Sequence, residues 1–169
     1  GKLREPMLRL VQWGRTFGIG SALGSWKIGD LSNPATQLGQ SPLRSPSVFN
    51  FFRPGYVPPN SPIGQRTAPE FQITTESSVC GYVNYMQRVV NGISDVRADY
   101  TALLQLAGDN AALLDELNLV LMSGQMPADM RSELIRFIES VPATEDDGSA
   151  RVYEAVFLIS TSAQYAVQR

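Results

Sequence analysis

Eight of the chain's eleven prolines fall between positions 34 and 69, at Pro34, Pro42, Pro46, Pro54, Pro58, Pro59, Pro62 and Pro69. Proline fixes φ and lacks an N–H, so neither a continuous helix nor a central strand can run through such a stretch. From about Ile19 to Pro69 the sequence shows no sustained period of either kind. A structureless connection of that length is unusual inside a compact domain. Its composition is not that of a linker, because Trp26, Val48, Phe49, Phe51, Phe52 and Tyr56 lie within it. Side chains of that size bury large areas, so the expectation is an ordered strap draped over helices. Within it, Ser45-Pro46-Ser47 reads as an N-cap followed by proline at the first helical position. One or two helical turns through Val48-Phe49-Asn50-Phe51-Phe52 are predicted, stopped before Pro54.

Helical periodicity flanks this segment. Leu3, Met7, Leu10, Val11, Gly14 and Phe17 share a helical face, with a start predicted at Arg4 or Glu5 and a stop at Gly18 and Gly20. After Pro69, the residues Phe71, Thr75, Val79, Tyr82, Val83 and Met86 predict one helix to about Val90, closed by Asn91-Gly92. A short helix follows from Tyr100 to Leu106. Asp109 or Asn110 then caps a stripe of Leu113, Leu114, Leu117, Val120 and Leu121, which ends at Ser123-Gly124. Pro127 opens the next helix, with Met130, Leu134, Phe137, Ile138 and Val141 on one side. The last long helix starts near Ser149 and is apolar nearly all round (Val152, Ala155, Val156, Phe157, Leu158, Ile159), as a central element must be. Thr161-Ser162 is placed to cap a final turn through Tyr165 and Val167. No segment alternates with period two for long, and no internal repeat is visible. The reading is an all-α single domain over 1–169: an irregular bundle of about five to six helices wrapped by the 19–69 loop.

The chain has 169 residues, 43% of them apolar, which supports one core. Fourteen basic residues against sixteen acidic ones give a formal charge of -2 and no electrostatic case for nucleic acid. No stretch approaches the ~18 consecutive apolar residues of a membrane span. A chain that opens on Gly1 and at once enters an amphipathic pattern reads as an excised piece of something longer. There is no histidine, which removes every His-dependent triad, His-ligated metal site and imidazole switch. The single cysteine, Cys80, cannot form a disulfide within the chain. Mid-helix and without a histidine to activate it, it is expected to be a buried, inert thiol.

Other chemistry is weakly signalled. The glycines of Gly18-Ile19-Gly20-Ser21-Ala22-Leu23-Gly24 follow a helix where a dinucleotide fingerprint needs a strand, and the third glycine would have to stand at Leu23. Ala143 to Glu154 can be laid on a calcium loop, but Ala143 takes the leading ligand position and Arg151 the ninth. Glu70 and Glu76 do not share a helix face, and Asp115 and Glu116 read as solvated. No catalytic residue, metal ligand or cofactor is therefore expected. The twelve arginines are scattered and read as salt-bridge and carbonyl-capping partners, with Arg53 and Arg66 flanking the aromatic loop.

Three separated stretches are specific: Ser45-Pro46-Ser47-Val48-Phe49-Asn50-Phe51-Phe52-Arg53-Pro54-Gly55-Tyr56-Val57-Pro58-Pro59, then Ala68-Pro69-Glu70-Phe71-Gln72-Ile73, then Ala155 to Ser162 with Tyr165-Ala166-Val167-Gln168-Arg169. Together with Lys2-Leu3-Arg4-Glu5-Pro6 they resemble the C-terminal part of the bacterial domain-of-unknown-function family 1800. Ala163-Gln164 stands where that family's pattern usually has Pro-Glu. The resemblance implies a longer natural protein, an exported (periplasmic or extracellular) setting, and a partner resembling sulfatases that is encoded nearby. It carries over no catalytic residue.

Two functions fit. One is a non-catalytic binding or scaffolding domain whose candidate motif is Val48, Phe49, Asn50, Phe51, Phe52, Arg53 and Tyr56. The other is the wall or lid of an enzyme whose active site lies in a missing N-terminal part. For Phe49, Phe51 and Phe52 core packing is the expectation and a partner surface the alternative. Asn50 is expected to bond backbone. Full enclosure of these phenyl rings within the helical core would remove the basis of a partner surface.

Overall fold

The computed structural model describes residues 2–60, 62–142 and 146–168. Among the described residues seven α-helices make up the frame: α1 (Pro6–Thr16), α2 (Glu76–Val90), α3 (Thr101–Leu104), α4 (Asn110–Met122), α5 (Ala128–Ser140), α6 (Ser149–Thr161) and α7 (Ala163–Ala166). Two short antiparallel pairs add what periodicity did not predict. β1 (Lys2–Leu3) pairs with β4 (Val167–Gln168), and β2 (Gly20–Ser21) pairs with β3 (Val96–Arg97). The described residues are thus mostly helical, with two small antiparallel pairs that the all-α expectation did not include. Pairs of two residues leave no alternation to read, and they form only because tertiary structure brings distant segments together.

α6 is the centre, packing against α2, α4, α5 and α7. Val152, Ala155, Val156 and Ile159 are fully buried, while Phe157 and Leu158 pack partly buried on its flanks. Around it lie Leu113, Leu114, Leu117 and Leu121 of α4 and Leu134 and Ile138 of α5. Side-chain caps set several ends. Asp109 accepts from the Ala111 and Ala112 N–H groups at the start of α4, and Ser162 accepts from Tyr165 N at α7. No helix among the described residues is long and apolar enough to cross a membrane.

Several predicted faces shift. α1 starts at Pro6, because Leu3 is taken by β1 and Arg4 N donates to Ala166 O at 2.8 Å. Its buried residues are Pro6, Trp13 and Gly14, whereas Leu8 and Val11 are exposed. Trp13 Nε1 donates to Tyr100 OH at 2.9 Å, and the Phe17 ring meets Tyr100 edge-on. The helix predicted from Pro69 is split into a 3-10 turn (Pro69–Ile73) and α2. Thr75 competes for the backbone: it accepts from Ser78 N while Ser78 Oγ accepts from Thr75 N, a reciprocal capping box. α2 then buries Ser78, Gly81, Tyr82, Tyr85, Met86, Val89 and Val90. Val79 and Cys80 fall on the opposite side, so Cys80 is exposed and not buried as expected. Phe137 of α5 is also exposed.

Between 22 and 68 the described residues form turns and bends with no helix. Leu31 and Leu38 nonetheless join the core, and Arg88 of α2 donates to Thr36 O at 3.0 Å. Gly81 makes the seat. A Cβ there would lie 2.2 Å from Pro34 O and 2.9 Å from the Ala35 carbonyl carbon, so only glycine lets this backbone lie on α2.

Candidate functional site

The motif at 48–52 forms a tight turn instead of the predicted helix. Ser47 and Asn50 face each other in an antiparallel bridge, with Asn50 N donating to Ser47 O at 3.3 Å. Asn50 adopts φ 69, a left-handed conformation that asparagine tolerates better than most residues and that reverses the chain. Ser47 Oγ accepts from Phe49 N at 3.1 Å, so the serine expected to cap a helix closes a turn.

Val48 and Phe49 occupy the apex, 94% and 59% exposed. Phe51, Phe52 and Tyr56 are half-buried, and none of these aromatics belongs to the core cluster. Phe49 thus departs from the core-packing expectation, while Phe51 and Phe52 are half-buried outside the core cluster. Val48 and Phe49 sit at the apex of the turn, and from the same segment it is Leu31 and Leu38 that join the core.

The turn is fixed from below. Asn50 Nδ2 donates to Glu5 Oε2 at 2.8 Å, and Gln40 Nε2 donates to the same carboxylate oxygen. Asn50 thus bonds a side chain 45 positions away, not the backbone as expected. Gln40 is fully buried and its Oε1 accepts from Met7 N at 3.2 Å. Glu5 precedes α1 but makes no side-chain cap; the strap's Gln40 satisfies an N–H of the helix's first turn in its place. Lys2 reaches Glu70, itself buried, at 3.0 Å, and that hydrogen bond and charge raise the lysine's pKa. Arg53 N donates to Gln72 Oε1 at 2.7 Å, tying the far side of the turn to the 3-10 segment. The Arg53 and Arg66 side chains are exposed. The apex offers apolar surface and aromatic edge, with no acid or nucleophile on it. Burying Val48 and Phe49 against a partner is worth ~1.5–3 kcal/mol each.

A second feature, missed by sequence reasoning, joins α1, α2 and α7. The Arg4 guanidinium lies 4.2 Å from the Tyr165 ring centroid, and Arg9 lies 4.0 Å from that of Tyr82. Arg4 donates to Gln12 Oε1 and to the Tyr165 carbonyl. Tyr165 OH donates to Arg9 O at 3.0 Å, and Tyr82 OH donates to Ser160 O at 2.9 Å. Desolvation lowers the Arg9 pKa, and burial pushes the Tyr82 hydroxyl up to about 12. Beside Arg4 opens a cavity of about 380 Å³. Arginines spaced five apart in sequence gave no signal, since their tyrosine partners lie on α2 and α7. The carbonyl-capping role expected of arginine holds at Arg4, Arg88, Arg97 and Arg151.

Among the described residues no group of three or more His, Cys, Asp or Glu side chains could hold a metal ion. The leading residues of the calcium-like register, Ala143 and Glu145, lie outside the described residues. No curated protein and no solved structure matches the chain significantly. The model of the family described as "Protein of unknown function (DUF1800)" matches residues 1–167. With that match spanning the turn and the whole helical frame, the chain belongs to the DUF1800 family.

Proposed function

We propose that this domain is a non-catalytic binding or scaffolding module that engages a protein partner through the Val48–Phe49 apex. In this reading the 19–69 segment is an ordered strap laid around the bundle, and the apex is its contact point. One observation carries it: two apolar side chains stand in solvent on a turn whose Asn50 is hydrogen-bonded to Glu5, a carboxylate that the fully buried Gln40 also holds. Apolar groups held rigidly in water lose little further entropy on binding, which favours association. The family resemblance supplies the setting, an exported bacterial protein in the periplasm or outside the cell. It also supplies the partner class, a sulfatase-like protein encoded nearby.

The test is a binding titration between the full-length protein and that sulfatase-like neighbour, repeated with Val48→Asp/Phe49→Asp. Losing both apolar contacts removes at least ~3 kcal/mol, about 100-fold in affinity. A complex of unchanged affinity in the double variant overturns the apex as the contact, and no complex with the wild type overturns the partner class.

A further inference from the structure

We infer that the cavity beside Arg4 is a binding site for a carboxylated, hydroxyl-rich small molecule of monosaccharide size, such as a uronic acid. This site is independent of the Val48–Phe49 apex.

The first argument is charge. Arg4 is half-buried, and its partners are all neutral: an amide oxygen, a backbone carbonyl and the Tyr165 ring. None of the ion pairs among the described residues includes Arg4 or the neighbouring Arg9. Of the five N–H donors of the Arg4 guanidinium, two are engaged and Nε is buried without an acceptor. Removing a cation from water without a counter-charge is costly, and an incoming anion offsets that cost. No described residue lining the cavity is acidic. Leu121 O, in the last turn of α4, accepts from Gln12 Nε2 at 3.0 Å, which offsets part of that carbonyl's negative charge.

Polarity is the second argument. Gln125, Gln164, Gln168 and Ser123 line the same space. Their side chains form no hydrogen bond with another described residue, so donor and acceptor atoms remain open. Primary amides carry both kinds of atom and pair with vicinal hydroxyls, while guanidinium matches carboxylate in a planar fork. A space of about 380 Å³ lies at the small end of ligand sites and suits one sugar ring.

Titration of the 169-residue chain with glucuronate and, in parallel, glucose tests the site by calorimetry and by glutamine side-chain amide shifts in NMR. The expected result is saturable glucuronate binding with a Kd at or below ~1 mM, and glucose at least ~10-fold weaker. Arg4→Gln is expected to weaken glucuronate ~10-fold or more. Because Arg4 also holds the Tyr165 carbonyl, Gln164→Leu provides the same reading with Arg4 in place. It should lower glucuronate affinity about threefold, less than one hydrogen bond's full worth, without unfolding the chain. Overturning results are no saturable binding of glucuronate, equal affinity for glucose, or affinity unchanged in both variants.

Discussion

Gly81→Ala separates helix propensity from packing, because the two predict opposite signs. Propensity alone makes alanine in mid-α2 more favourable by ~1 kcal/mol. Against that stands a Cβ 2.2 Å from Pro34 O and 2.9 Å from the Ala35 carbonyl carbon. These neighbours are backbone and cannot rotate away, so the strap must lift. Overpacking of this kind costs ~1–3 kcal/mol. Lifting also exposes part of Leu38, whose full burial is worth ~1.5–3 kcal/mol. Net destabilisation of ~1–4 kcal/mol is expected, with about half of Leu38's burial lost and the propensity gain subtracted. For a chain of this size that is a fall in Tm of ~2–16 °C. Urea unfolding of wild type, Gly81→Ala, Leu38→Ala and the double variant gives the test. Leu38→Ala alone should cost ~2–5 kcal/mol, and less by at least ~1 kcal/mol in the Gly81→Ala background if the strap is already raised. A Gly81→Ala protein as stable as wild type or more so, or strictly additive costs, would refute the reasoning.

Tyr85 OH is buried without a hydrogen-bond partner, so Tyr85→Phe should leave stability unchanged or raise it by ~1 kcal/mol in urea unfolding. Burial pushes the Tyr82 and Tyr85 hydroxyls up to about 12, above the value of ~10 for an unfolded chain. The folded state therefore holds protons that the unfolded state releases. Their contribution is complete below pH ~10 and lost as pH rises toward ~12, a decline that urea midpoints at pH 9 and pH 11 should reveal and Tyr85→Phe should reduce. Thr75→Ala removes one half of the capping box at α2 and should cost ~0.5–2 kcal/mol, read by thermal unfolding followed by circular dichroism.

The helical frame was legible where local chemistry decides. Asp109 before a leucine stripe and Ser162 at α7 cap neighbours within four residues, Pro127 stands at the start of α5, and α6 begins at Ser149. Where two local outcomes compete, distant partners chose. Ser-Pro-Ser can cap a helix or close a turn, and the bond from Asn50 to Glu5 favours the turn. Periodicity placed Val79 and Phe137 inward, yet α2 turns Tyr85 and Gly81 to the core instead, because the strap seats on Gly81. Cys80 followed Val79 to the surface. The apex was legible as a motif but not as an exposed one, since exposure depends on what the rest of the strap buries. The Arg4 cavity was illegible, being assembled from α1, the end of α4 and the final turn.

The pairing of Lys2 with Gln168 and Leu3 with Val167, with Arg4 N held on Ala166 O beside it, clasps the segment that leads into α1 to the one that leaves α7. Loosening either segment frees the other as well, so a Val167→Pro substitution should speed amide exchange in the Lys2–Leu3 strand too.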